Sequence, residues 1–255
     1  MLSKNQVKYL QSLRLGKFRQ LNRAFIAEGV KLVDDLLNSH FRIRIIYGTP
    51  TWIESHQRII ASQEFVIQEV TEEELKKISN LVTPNEVLAV VGYPDSAIPS
   101  PETFGNIILL LDRIQDPGNL GTIIRTADWF GIGHVFCSPD TVDVYNPKVI
   151  QATMGSFCRV SLHYTDLKQL LISLSDTWRI YGTISDGESI YNTEPEFPAA
   201  IIIGNESKGI SEEYFPLLTH RVGIPSRSKG AESLNAAVAA GIICSEFSRR
   251  LMVNG

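Results

Sequence analysis

One segment narrows the fold more than any other: "NIILLLD", residues 106–112. Successive side chains of a strand point to opposite faces, so five apolar residues in a row cannot all face one side. Such a strand must be covered on both faces, which is the situation of a parallel strand between two layers of helices. The segments that follow fit that demand. "NLGTIIRTADWFG" reads as a helix, "HVFCS" as a strand, "NPKVIQATMG" as a helix and "SLHY" as a short strand. "DLKQLLISLS" then reads as a helix and "RIYGTIS" and "AAIIIG" as strands. A short helix, the strand "RVGIPS" and a terminal helix, "ESLNAAVAAGIICSEFSRRL", complete the order. Alternation of this kind makes an α/β fold with a mostly parallel sheet.

The residues before this run form a smaller α/β unit. "KNQVKYLQSLRL" reads as helical, and in "AFIAEGVKLVDDLLNS" Val30, Val33, Leu36 and Leu37 recur at helical spacing. "RIRIIYG", "EFVIQEV" and "EVLAVVGY" read as strands, and Thr71 with Glu74 opens a helix as a capping box. "PDSAIPSP", residues 94–101, has three prolines in eight positions and marks a linker. The expected division is therefore 1–93, a linker at 94–103, and 104–255.

Charge separates the two parts further. Residues 1–31 carry Lys4, Lys8, Arg14, Lys17, Arg19, Arg23 and Lys31 against Glu28 alone, although the whole chain has a net charge of −4. Such a segment suits a polyanion, or is simply a solvated helix. The three cysteines have no metal-like spacing and read as reduced thiols of a cytoplasmic protein. The most apolar helical run, "LNAAVAAGIIC", is about half the ~20 residues needed to span a bilayer, so no membrane is expected. No histidine cluster, Cys–His pair or carboxylate dyad suggests a metal enzyme or a protease.

Ligands of parallel sheets bind at the carboxyl ends of strands, and three loops there stand out. "DRIQDPGNLG" ends a strand at Asp112 and turns through Pro117 and Gly118 to Asn119. Asn119 is either a helix N-cap or a functional amide, and Arg125 is either the ion-pair partner of a carboxylate or a working cation. "IIIGNESKGIS" has the glycine frame of a phosphate loop, but Lys208 precedes the second glycine instead of following it. Glu206 in its middle suits a cationic or hydroxylated ligand, or else caps a helix near Ser211. "IPSRSKGAESLN" sets Ser233 and Asn235 before a helix of small residues that permits close packing in a core or a dimer.

Together, "LLLDRIQDPGNLGTIIRTADWFG", "IIIGNESKGIS" and "IPSRSKGAESLNAAVAAGIICSEF" resemble the three signature motifs of the SpoU (TrmH-like) family of RNA ribose 2′-O-methyltransferases, in the SPOUT superfamily. "FIAEGVKLV" and "TPNEVLAVV" resemble the ribosomal-protein-like RNA-binding domain of many members. The resemblance implies a trefoil-knotted C-terminal α/β domain, a homodimer through the knot, and S-adenosylmethionine as cofactor. It assigns Thr183, Gly204, Asn205, Glu206, Ile224, Ser233, Leu234 and Asn235 to the cofactor pocket and Asn119 and Arg125 to RNA positioning and catalysis. Ribosomal RNA is favoured over transfer RNA, with Lys4, Lys8, Arg14, Lys17, Arg19 and Arg23 as RNA contacts. A non-catalytic ribosome assembly factor is the alternative of another class. Two features depart from the family pattern: Ser226 stands where Ile-Pro-Met is usual, and Arg227 to Lys229 is unusually basic.

Overall fold

The computed structural model describes residues 1–61, 64–94, 97–227, 230 and 233–254, with the side chain of the last left aside. The chain divides into two compact units, residues 1–95 with 143–158, and residues 96–142 with 159–255.

In the first unit, α1 (Lys4–Ser12) and α2 (Gly16–Asn22) lead to β1 (Ala24–Glu28) and α3 (Val30–Leu37). β2 (Ile43–Gly48), α4 (Pro50–Ile60), β3 (Val66–Glu69), α5 (Glu72–Ile78) and β4 (Val87–Gly92) follow. The sheet runs β1-β4-β2-β3, with β4 antiparallel to both its neighbours and β2 parallel to β3. Leu10 and Leu13 pack on one face with Ile26, Tyr47, Leu75, Ile78 and Leu88. α5 starts with the expected capping box, Thr71 Oγ1 accepting from the Glu74 amide at 3.2 Å.

Two parts of this unit differ from the sequence expectation. "AFIAE" is a strand with all five residues buried, and the helix starts only after Gly29. Its helical periodicity begins at Val30, one residue beyond the break. Arg19 is not a surface cation, being only 3 % exposed. Its guanidinium donates to Asp143 Oδ2 at 2.6 and 3.0 Å and to the carbonyls of Leu13 and Arg14. Lys4, Lys8, Arg14, Lys17 and Arg23 do lie exposed.

In the second unit, β5 (Ile107–Leu111), α6 (Pro117–Trp129) and β6 (His134–Cys137) begin a wound sheet. The helix α7 (Pro147–Thr153) follows in sequence but packs on β1, and so belongs to the first unit. Its approach brings Tyr145 to stack on Phe25 with ring centroids 4.6 Å apart. The second unit resumes with β7 (Ser161–Tyr164), α8 (Leu167–Leu174), β8 (Arg179–Ser189), β9 (Ala199–Ile203), β10 (His220–Gly223) and α9 (Ala236–Asn254). The sheet order is β10-β8-β9-β5-β6-β7, and every neighbouring pair is parallel. All five residues of β5, and all five of β9, are buried. Ile108, Leu110 and Ile202 share one face with Leu167, Leu171 and Leu174 of α8.

Replacing Asp143 with Ala strands a buried guanidinium without its carboxylate, which costs roughly 3 kcal/mol. Urea unfolding of Asp143→Ala should show a midpoint shift of that size with an unchanged slope.

Candidate active site

From β5 the chain winds outward through β6 and β7, then returns to the other side of β5 to build β8, β9 and β10. The direction reverses between β5 and β9, and the carboxyl ends of these two strands are where a crevice opens in a sheet of this type. The loops after Leu111 and Ile203 both start there.

Asp112 joins the two loops. Its carboxylate is 1 % exposed, and Oδ2 accepts from the Ser211 amide at 2.7 Å and the Ser211 hydroxyl at 2.8 Å. Arg113, with φ 57°, compensates the buried charge through Nε at 3.2 Å. The carbonyl of the same arginine accepts from Asn205 Nδ2 at 3.0 Å. Neither Asp112 nor Ser211 was assigned a role from the sequence. The acidic residue closing an otherwise apolar strand was the available signal. Burial, followed by the Asp112 charge, pushes the Tyr214 phenol up to about 12, so it stays protonated at neutral pH.

The loop of residues 204–209 is tight. Asn205 and Gly209 exchange backbone hydrogen bonds at 3.1 and 2.8 Å, and Gly209 takes a φ of +64°. Asn205 Oδ1 also accepts from the amides of Ser207 and Lys208 at 3.0 and 3.1 Å. The amides of 207, 208, 209 and 211 are thus all engaged within the protein. A phosphate loop works by turning such amides toward its anion, and this loop has committed them elsewhere. Gly204 lies so close to Gly209 that a Cβ there would stand 2.4 Å from its carbonyl carbon.

Three polar side chains meet above that loop. Asn119 Nδ2 donates to Glu206 Oε1, and Asn119 Oδ1 accepts from Asn235 Nδ2 at 2.8 Å. Ser233 Oγ reaches the Glu206 carbonyl at 3.5 Å. The two bland readings of the sequence are corrected here. Asp116 is the N-cap of α6, accepting from the Asn119 amide at 2.8 Å, so the Asn119 side chain is released for Glu206. Glu206 consequently faces Asn119 and caps no helix. Asn235 caps α9, its Oδ1 accepting from the amides of Ala237 and Val238 at 3.0 and 3.3 Å. α9 therefore starts at Ala236, later than "ESLN" suggested, and packs against α6.

Of the other expected site residues, Thr183 donates to the Ile202 carbonyl at 2.8 Å beside the loop. Ile224 is half-buried just past β10 and Leu234 is exposed. Arg125 lies on the open side of α6, outside the Asn119–Glu206–Asn235 network. Among the described residues it has no ion pair, which removes the carboxylate-partner reading. Ser228 and Lys229 of the basic segment fall outside the described residues.

The available groups are a carboxylate, amide and carbonyl oxygens and hydroxyls, with no free cradle of amides. They fit a cationic, hydroxylated ligand such as S-adenosylmethionine better than a polyphosphate. The thiols of Cys137 and Cys244 are pushed up by burial, the latter to about 12, so neither is a nucleophile. Among the described residues no group of three or more His, Cys, Asp or Glu could hold a metal, and no helix is long and apolar enough to cross a membrane.

Comparison with known proteins points the same way. Residues 106–245 match the SpoU rRNA Methylase family, and residues 4–89 match the MRM3-like substrate binding domain. A 23S rRNA guanosine 2′-O-methyltransferase of Bacillus subtilis, RlmP, is 30 % identical over 94 % of this chain and 95 % of its own. A TrmH-family protein from Porphyromonas gingivalis superposes with a TM-score of 0.89 at 39 % identity, covering 98 % of this chain and 99 % of that one. An AdoMet-bound rRNA methyltransferase from Sinorhizobium meliloti gives 0.85 at 28 % identity, over 99 % and 97 %.

Gly204→Ala should force the Asn205–Gly209 bridge apart at a cost of about 1–3 kcal/mol. Amide exchange should accelerate at 205 and 209 while the β5 amides remain protected.

Proposed function

This chain belongs to the SpoU rRNA methylase family, and on that premise we propose that it transfers a methyl group from S-adenosylmethionine to a ribose 2′-hydroxyl of structured RNA, ribosomal in preference to transfer RNA. The observation that carries this reading is the convergence of Asn119, Glu206 and Asn235 over an amide-poor loop. In this reading residues 104–255 form the methyltransferase part, with the family's knot and a homodimer through it, and residues 1–93 select the RNA in the cytoplasm.

Bound S-adenosylmethionine supplies an electrophilic methyl group on a sulfonium. Thr183, Gly204, Asn205, Glu206, Ile224, Ser233, Leu234 and Asn235 would hold it, the Glu206 carboxylate complementing its positive charge. The Asn119 amide, already tied to Glu206 and Asn235, keeps that carboxylate in one orientation. A guanidinium is not deprotonated in proteins, so the side chain of Arg125 is unsuited to be a base. Its fork clamps the phosphate beside the target ribose and stabilises charge developing on the attacking oxygen. Holding the hydroxyl in line for attack can supply ~7–11 kcal/mol of the barrier.

Labelled S-adenosylmethionine and large-subunit ribosomal RNA transcribed in vitro test the reading. Label should appear on one ribose and survive base removal. Arg125→Ala should lower kcat on the order of 100-fold or more, with cofactor affinity retained. Equal loss of both would remove the clamp role. Label on transfer RNA alone would move the substrate, and absence of label on either would favour the assembly factor.

RNA contact by the N-terminal segment makes a separate prediction. Lys8→Ala with Lys17→Ala should weaken RNA binding and flatten its salt dependence by about two in log–log slope. Filter binding from low to moderate salt measures it.

A further inference from the structure

The chain has three tryptophans, and the structure treats one of them differently. Trp52 and Trp178 are buried, whereas Trp129 is 85 % exposed. It is the last residue of α6 and follows Arg125 by one turn. Gly118, Thr122, Arg125 and Trp129 recur at helical spacing and are all exposed. They form a stripe that starts one residue before Asn119 and runs away from the Glu206 network. At about 1.5 Å of rise per residue, Trp129 stands roughly 6 Å beyond Arg125 along the axis.

The ring is carried on a fixed backbone. Gly131 adopts φ +69° and ends α6 in a Schellman motif, with the Ile132 amide donating to the Ala127 carbonyl at 2.8 Å and the Gly131 amide to Asp128 at 3.2 Å. Arg159 grips the Asp128 carboxylate in bidentate fashion at 2.7 to 3.1 Å. A large aromatic side chain left in water at a doubly locked helix end recovers its hydration cost only when something covers it.

We propose that Trp129 is a stacking platform for an unpaired base next to the methylated ribose. This rests on the RNA methyltransferase reading above. The choice of RNA follows from charge. The neighbouring Asp128–Arg159 pair is neutralised, so the stripe offers one unpaired cation, a hydroxyl and a π face. Those are the groups that complement a phosphate, a ribose and a base. A second copy of this chain would bring Arg125 to the interface without a carboxylate for it on this stripe. Stacking is tolerant of base identity, so Trp129 would hold the neighbouring nucleotide unstacked while Arg125 fixes its phosphate. It is a positioning residue and touches no reacting atom.

Because the other two tryptophans are buried, quenching of intrinsic emission by acrylamide reports mainly on residue 129. Adding the ribosomal RNA transcript should protect the quenchable fraction, and in Trp129→Phe this RNA-dependent change should shrink. Trp129→Ala should raise KM for the RNA roughly 5- to 100-fold, with S-adenosylmethionine affinity retained, and Trp129→Phe should recover most of the loss. An unchanged KM in Trp129→Ala overturns the proposal. So does a Trp129 shielded before RNA is added, together with a smaller mass by light scattering in Trp129→Ala, since a second copy would then cover it. If wild type places no label on this RNA, the functional reading fails while RNA-dependent shielding still reports on stacking.

Discussion

The second unit depends on one buried carboxylate. Asp112 ends the central strand in a place no carboxylate would occupy without compensation, and it receives two hydrogen bonds from Ser211 and the guanidinium of Arg113. A buried charge is tolerated only with such partners. Arg113 is its neighbour in the chain, but Ser211 lies 99 residues away, at the end of the loop that follows β9. That tie fixes the spacing of two strand ends and closes the glycine-bracketed loop. The loop in turn presents Glu206 to α6.

The site also explains why a chain can carry the glycine frame of a phosphate loop without the function. Asn205 imitates the anion, its side-chain oxygen taking amides that would otherwise point at a phosphate. The glycines serve close backbone approach instead. Asn235 plays a double part, satisfying the first amides of α9 with one side-chain atom and orienting Asn119 with another. Helix starts and site geometry are therefore set by the same side chains.

What could be read from the sequence was what local chemistry decides. An apolar run such as residues 107–111 states its own need for cover on two faces, and the pair Thr71 and Glu74 closes a box without help from elsewhere. The three site loops were legible because each sits beside a turn former or a glycine. Partners distant in sequence were not. Arg19 looked like surface charge because its carboxylate is 124 residues away, and the helix-cap alternative for Glu206 stayed open because Asn119 is 87 residues away. One open alternative could be closed from the sequence itself. Proline favours the first position of a helix, so Asp116-Pro117 already marked Asp116 as the cap and released Asn119.

The discontinuity of the first unit bears on how the chain is made. Residues 143–158 supply Asp143 to the buried Arg19, Tyr145 to the ring of Phe25, and α7 to the face of β1. A nascent chain that has emerged only to residue 95 holds the strands of that sheet but lacks one of its covers. The smaller unit, although first to be translated, cannot finish its core until residue 158 has left the ribosome. Cutting the gene at the proline-rich stretch, where composition invites it, would therefore separate an arginine from its counterion and a strand from its helix.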